Sequence, residues 1–320
     1  MKKRMTQAQF QQIRRWVLRN GRPLEWARWQ AMFEGGSRNQ AAEVLSGYQN
    51  TDGGFGWGLE PDCMNPQSSP YQTGSALALA EALQLDAHDP LYRGAFAYLS
   101  KESTAYRDGW PFTIQSNDDF PHAPWMGYDP KLNDAESFGL NLGLARQILT
   151  HDCDDRTLRA KAEAIVAKAF KQLFTQENFG EMGVDAFCGW LPQLNFLPAT
   201  AYKQDQIRER ILTLIEKRVE RDPAQWQEYK PRPSYFVRSR NDAAYPRLKD
   251  RVEAELDYLI DTCPEDGVWE IPWNWAGLYP EAFRVARTQW KGWKAIENIA
   301  FLMAFDRIEP AVQKGNHGDE

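Results

Sequence analysis

No stretch of the 320-residue chain approaches the about 18–20 consecutive apolar residues that a membrane-spanning helix needs. The start, Met1-Lys2-Lys3-Arg4-Met5 followed by a polar run over 7–12, has no apolar h-region, so no secretory signal is expected. Cysteine is scarce. Cys63, Cys153, Cys188 and Cys263 are far apart and form no CxxC pair, which excludes a disulfide framework and predicts reduced thiols in the cytoplasm. Histidine is scarcer still, and His88, His122, His151 and His317 have no metal-ligand spacing, so no metal is expected. Positive charge is in deficit: the net charge is −6 and no basic stripe with interleaved aromatics occurs, which argues against nucleic acid as a partner. A P-loop, a GxSxG elbow and a dinucleotide fingerprint are all missing, and no cofactor is expected. Long alternating apolar–polar runs, the mark of half-buried strands, are absent as well.

Core-forming residues are plentiful. Hydrophobic residues make up 42% of the chain and charged residues 26%, which suits a large folded domain. Tryptophan is in excess, with 13 copies, and five of them fall between positions 269 and 293. That clustering asks for more than core filling. Packing of the last helical pair accounts for it, and so does an aromatic wall that stabilises a cation or stacks on a sugar ring.

The chain returns repeatedly to one pattern. A charged, amphipathic helix ends in a turn with glycine and an aromatic residue; a long loop follows, then a more apolar helix. The copies place helices at 39–48 and 73–83, at 91–99 and 137–144, at 158–174 and 190–202, at 207–219 with a short segment near Tyr235, and at 252–260 and 290–305. The turn aromatics Phe55, Trp110, Phe179, Trp226 and Trp269 recur at intervals of roughly 40–70 residues. The segment 156–163 is apolar on one face only and belongs outside; 76–83 and 299–305 are apolar nearly all round and belong inside. Alternation of outer and inner helices predicts an all-α fold, an α/α toroid of about five to six hairpins over 1–308. Residues 1–37 form an N-terminal helical stretch, broken at Gly21-Arg22-Pro23, that packs on the ring. Residues 309–320 are expected to be a disordered tail.

The turns carry a spacing of Gln, three residues, Gly, one residue and a large side chain. Gln49, Gly53 and Phe55 fit it; Gln176 and Gly180 fit with Met182 in the aromatic place; Gly267 and Trp269 fit the second half, with Cys263 where Gln is expected; Gly109-Trp110 is approximate. In this the chain resembles the repeats of terpenoid cyclases and protein prenyltransferases, over roughly residues 40–305. The resemblance implies a toroid whose central cavity takes a hydrophobic or amphipathic small molecule. Two motifs of those families are matched in spacing only. Asp152-Cys153-Asp154-Asp155 matches the DxDD of the protonating acid, but it follows an inner helix and reads as a cap for the helix from Arg156. Asp261-Thr262-Cys263 matches an Asp-x-Cys zinc motif, but the only later histidine is His317 in the tail, so zinc is not expected.

Long loops join outer to inner helices and short ones join inner to outer, which gathers loops 57–72, 107–136 and 268–289 at one mouth. Glu60, Asp62, Asp119 and Asp134 are the candidate acids; Trp57, Tyr71, Trp125, Tyr128, Arg238, Trp273, Trp275 and Trp290 are the candidate ligand-binding residues. Asp134 and Glu136 read equally as an N-cap and a first-turn acid. Carboxylates crowded at a dry mouth should include one with a raised pKa, unless Arg238 or Arg284 pairs with it. Three functions fit. One is a terpenoid-related protein with an apolar cavity. Another is a lyase or hydrolase of saccharides with carboxylates beside tryptophans. The third is a non-catalytic binding or scaffold ring. The lining of the cavity separates them, since one fold hosts many functions. The sequence does not fix the oligomeric state.

Overall fold

The computed structural model describes residues 2–198 and 202–310; from 311 on, the expected tail lies outside them. Among the described residues the chain is all-helical, with eleven α-helices, short 3₁₀ turns and only isolated bridges. No helix among them is long and apolar enough to cross a membrane. Two helices, α1 (Gln7–Asn20) and α2 (Pro23–Phe33), meet at the Gly21-Arg22 break. The repeat pairs follow: α3 (Arg38–Ser46) with α4 (Pro70–Ala82), α5 (Pro90–Leu99) with α6 (Pro130–Thr150), and α7 (Arg156–Gln172) with α8 (Gly183–Trp190). Next, α9 (Gln204–Arg218) is followed only by 3₁₀ turns at Pro223–Gln227 and Pro233–Tyr235, the degenerate copy. The last pair is α10 (Tyr245–Asp261) and α11 (Pro280–Ala304).

Proline sets where many of these helices begin. Its fixed φ and missing N–H suit the first helical position, and Pro23, Pro70, Pro90, Pro130 and Pro280 open five helices. Three boundaries therefore fall earlier than hydrophobic periodicity places them: 70–72, 130–136 and 280–289 are helix, not loop. Asp134 is consequently not a cap. Asp129 caps α6, accepting from the Lys131 amide at 2.8 Å. Of the helix expected at 190–202, residues 199–201 lie outside the described residues; before them stand α8 and a 3₁₀ continuation at Leu191–Phe196. Asp155 does cap α7, its Oδ1 accepting from Thr157 and Leu158 at 2.9 and 3.0 Å.

Packing follows the patterning. In α7 the buried residues Leu158, Ala162, Val166 and Ala169 recur every three or four positions, and the charged residues between them stay wet. α6 packs on α4, α7 and α8; α8 packs on α9; α11 packs on α1, α2 and α10. The first and last described segments of the chain therefore touch. The Met5 amide donates to Arg307 O at 2.7 Å, the Glu309 amide to Met5 O at 2.9 Å, and the buried Arg307 reaches Glu253, Asp257 and the Lys3 carbonyl.

The repeated turns have a shared chemistry. Gly53 takes φ +92° and lies on the backbone of Gly94 in α5, where any Cβ collides with the Gly94 carbonyl. Gln49 spans the same joint, donating to Gly53 O at 2.9 Å and Leu91 O at 3.2 Å. Gln176, at the matching place two repeats on, is exposed and makes no such bridge. Trp110 and Trp269 act alike: each indole donates to a carbonyl near the end of the preceding helix, Leu99 O at 2.9 Å and Leu259 O at 3.1 Å. Carbonyls there have no partner inside their own helix, so the tryptophan both fills the gap and satisfies them. Trp110→Phe and Trp269→Phe keep the ring and lose the donor. Each is expected to lower stability by about 1–3 kcal/mol, the cost of an unsatisfied buried carbonyl, read as a shift of the urea midpoint. A shift indistinguishable from wild type in both would show that water replaces the indole.

Candidate functional site

The loop between α3 and α4 dives inward at 58–63, where its peptide groups lose water. Two side chains take over. Arg22, at the start of α2, donates through Nη1 to Gly58 O at 2.8 Å and Leu59 O at 3.0 Å. Gln72, in the first turn of α4, accepts from the Glu60 amide at 2.7 Å and donates to Glu60 O at 3.1 Å and Cys63 O at 3.3 Å. Buried peptide groups without such partners would cost several kilocalories, so these two side chains fix the loop.

The loop presents Glu60 and Asp62, both buried. The Asp62 amide donates to Glu60 Oε2 at 2.9 Å, and Tyr71 Oη donates to Glu60 Oε1 at 3.4 Å. Trp275, more than two hundred positions downstream, donates its indole N–H to Asp62 Oδ1 at 2.9 Å. Three more indoles, of Trp290, Trp273 and Trp125, face the same carboxyl closely enough to favour its charge. Those of Trp273 and Trp290 are buried and complete no hydrogen bond to it or to any other acceptor. The loop before α6 closes the far side. The Ala123 amide donates to Asp62 O at 2.7 Å, the Met64 amide donates to Pro121 O at 2.9 Å, and Phe112 meets Tyr71 edge-on at 5.0 Å.

Electrostatics separate the two acids. Burial, and then the charge of Asp62, push the Glu60 carboxyl well above the usual carboxylate range; Arg22 and the hydrogen bonds it accepts only partly oppose this. Burial raises Asp62 too, against the pull of its indole donors. Tyr71 is driven up by burial and then by both carboxyls. Backbone strain gathers in the same loops: Trp57, Ala276 and Tyr279 have φ of 59°, 51° and 44°, each costing about 1–3 kcal/mol.

Beneath this pair lies a second polar group that periodicity does not single out. Trp273 meets Trp290 at 5.2 Å, and Trp290 meets Trp293 at 5.4 Å. The Trp293 indole donates to Glu297 Oε1 at 2.8 Å, and Lys294 Nζ to Glu297 Oε2 at 2.8 Å. Burial pushes the Glu297 carboxyl up, but Lys294, Arg28 and Arg238 overcome it and bring it down to about 2. Its side chain is nevertheless 44% accessible. Asp185 on α8 faces Arg238 and Lys294 too, and burial lifts it to about 6. Tyr229 interacts with Lys294 and Asp185 and touches Trp273 at 5.7 Å, which joins the lower group to the upper one.

Of the expected site residues, the structure brings together Glu60, Asp62, Tyr71, Trp125, Trp273, Trp275 and Trp290. Others lie elsewhere. Trp57 is 61% exposed with its indole on Asn50. Asp119 is exposed at the end of a 3₁₀ turn. Asp134 holds Tyr106 and Arg107 beside a surface cleft. The Tyr128 amide is held by Asp118 at 2.8 Å. The cation beside Glu60 is Arg22, not Arg238 or Arg284: Arg238 faces Glu297 and Asp185, and Arg284 pairs with Glu281. Among the described residues no cluster of three or more His, Cys, Asp or Glu is disposed to hold a metal ion. No protein-family model matches the chain, and neither a curated protein nor a solved structure does.

A carboxyl whose folded pKa is raised weakens the fold as pH climbs from the ordinary carboxylate value through the raised one, because the folded state must then expel a proton it prefers to keep. Glu60→Gln removes that burden while preserving the acceptor for the Asp62 amide. Relative to wild type, the variant is expected to gain melting temperature as pH rises above the ordinary glutamate value of about 4.3. A relative loss over that rise would mean that Glu60 is ionised and paired with Arg22.

Proposed function

We propose that the chain is an α/α toroid that binds a saccharide in its central space and cleaves a glycosidic bond by acid–base chemistry. The observation that carries this reading is the pair Glu60 and Asp62, dry, unequal in acidity and ringed by indoles. Glu60, its carboxyl pushed by burial well above the usual carboxylate range, can deliver a proton to a leaving oxygen. Asp62, with Trp275 donating to its Oδ1, ionises first and can face the positive charge that develops on the sugar ring, until a water molecule bonds to the anomeric carbon and returns a proton to Glu60. Two carboxyls set apart by their surroundings take two roles. Tryptophan faces suit the apolar C–H faces of a sugar, and indole N–H groups without acceptors suit its hydroxyls. Contact between α1, α2 and α11 supports closure of the helical pairs into a ring.

The second reading, a cavity for a terpenoid, rests on the spaced glycine–aromatic turns and on the density of tryptophan around a protonated acid. Against it stand Lys294, Glu297, Asp185 and Arg238, charged groups that act on one another near the same tryptophans, which an apolar chain would desolvate without compensation.

Reducing-end release from a panel of oligosaccharides tests the choice. Turnover of at least one member is expected, falling by about 10²–10⁴-fold in Glu60→Gln and Asp62→Asn with the helical spectrum unchanged. Tryptophan quenching by a prenyl diphosphate, with no response to any sugar, would favour the terpenoid reading instead.

A further inference from the structure

Arg28 lies on the inner side of α2 and is only 4% exposed. Its Nη1 is buried without any acceptor. The nearby carboxylates are engaged elsewhere. Glu25 is held by Arg22 through its amide at 3.0 Å and its guanidinium at 2.9 and 2.7 Å, and Glu297 by Lys294 and the Trp293 indole. The guanidinium stacks instead over Trp293, 4.6 Å from the ring centroid. Lys294 holds the same Glu297 at 2.8 Å, and the charge of Arg238 acts on it as well. Three cations therefore act on one engaged carboxylate, and the acid that acts most strongly on Arg28, Glu25, is already held by Arg22. A buried cation is costly unless something pairs with it, and an empty pairing position beside an aromatic wall is a place for a ligand's charge.

The geometry points to an oxyanion subsite in which Arg28, Lys294 and Arg238 receive a carboxylate or phosphate of the ligand, below the Trp273–Trp290 wall. The ligand is thus an acidic molecule, and, resting on the saccharide reading above, an acidic sugar. Fork-like guanidinium donors match either group, and the charge adds to the strength of each bond.

Binding of three probes, D-glucose, D-glucuronate and inorganic phosphate, followed by intrinsic tryptophan fluorescence, tests this. Glucuronate is expected to bind at least about tenfold more tightly than glucose, with phosphate competing against it. Arg28→Met should abolish that preference while leaving the melting temperature of the ligand-free protein unchanged or higher, since an unpaired buried charge is removed. Arg238→Gln, at an exposed position, should weaken glucuronate and phosphate in parallel and serves if Arg28→Met fails to fold. Equal binding of glucose and glucuronate overturns the subsite and leaves the saccharide reading standing. Phosphate binding that depends on Arg28, with no response to either sugar, supports the subsite and overturns the saccharide reading. No binding of any probe overturns the subsite.

Discussion

Burial of the peptide groups at 58–63 is the constraint on which the site depends. A loop cannot run inside a protein unless something replaces the water on its amides and carbonyls. Here the replacement comes from Arg22 and Gln72, one at the first residue of α2's cap and one in the first turn of α4. Each has a second duty. Arg22 also grips Glu25, and Glu25 lies against Gly292 of α11, where a Cβ would crowd its side chain. Through that joint the loop that carries the acids is tied to the helix that carries Trp290, Trp293, Lys294 and Glu297. The same seam holds the first helices of the chain against the last.

The acids and the tryptophans come from segments far apart in sequence, yet each is fixed by a local rule. Side chains spaced four apart on α6, Asn133, Ser137 and Asn141, hold the backbone of Thr113, Phe112 and Trp110, which in turn places Phe112 on Tyr71. Asn274 accepts from the Ala276 amide at 2.8 Å inside the strained turn that points Trp275 at Asp62. The arrangement is unfavourable to stability. It includes two raised carboxyls, two indoles without acceptors, an unpaired guanidinium and residues forced to positive φ. Proteins tolerate such features where a ligand or a reaction uses them.

Much of this was legible in the sequence. The repeat of charged helix, glycine turn and apolar helix reads directly as helical pairs. Glu60 and Asp62 stood out as acids in a loop framed by aromatics. Asp155 showed its capping role through its place just before a helix. Other parts were not legible, for definite reasons. Periodicity placed α6 from its apolar residues and overlooked Asp129-Pro130, so Asp134 was read as a cap one turn too late. Trp57 and Trp275 look alike in sequence, but one is set outward by its left-handed backbone and its bond to Asn50, and the other is drawn in by Asp62. Arg28, Asp185, Lys294 and Glu297 sit on helices, where a charged residue reads as solvent-facing. One signal was available: Arg28 falls four residues after Leu24 on the buried face, and Asp185 between Val184 and Phe187. A charge in an apolar stripe is the trace of an internal polar site.

The chemistry proposed for the site depends on the protonation of Glu60. Carbon-13 spectra of protein labelled at glutamate side-chain carboxyls, with the Glu60 resonance assigned by its loss in Glu60→Gln, measure it directly. A signal that stays at the shift of a protonated acid at about pH 7 is the predicted result. A signal that moves through the ordinary glutamate range near about pH 4 would contradict it.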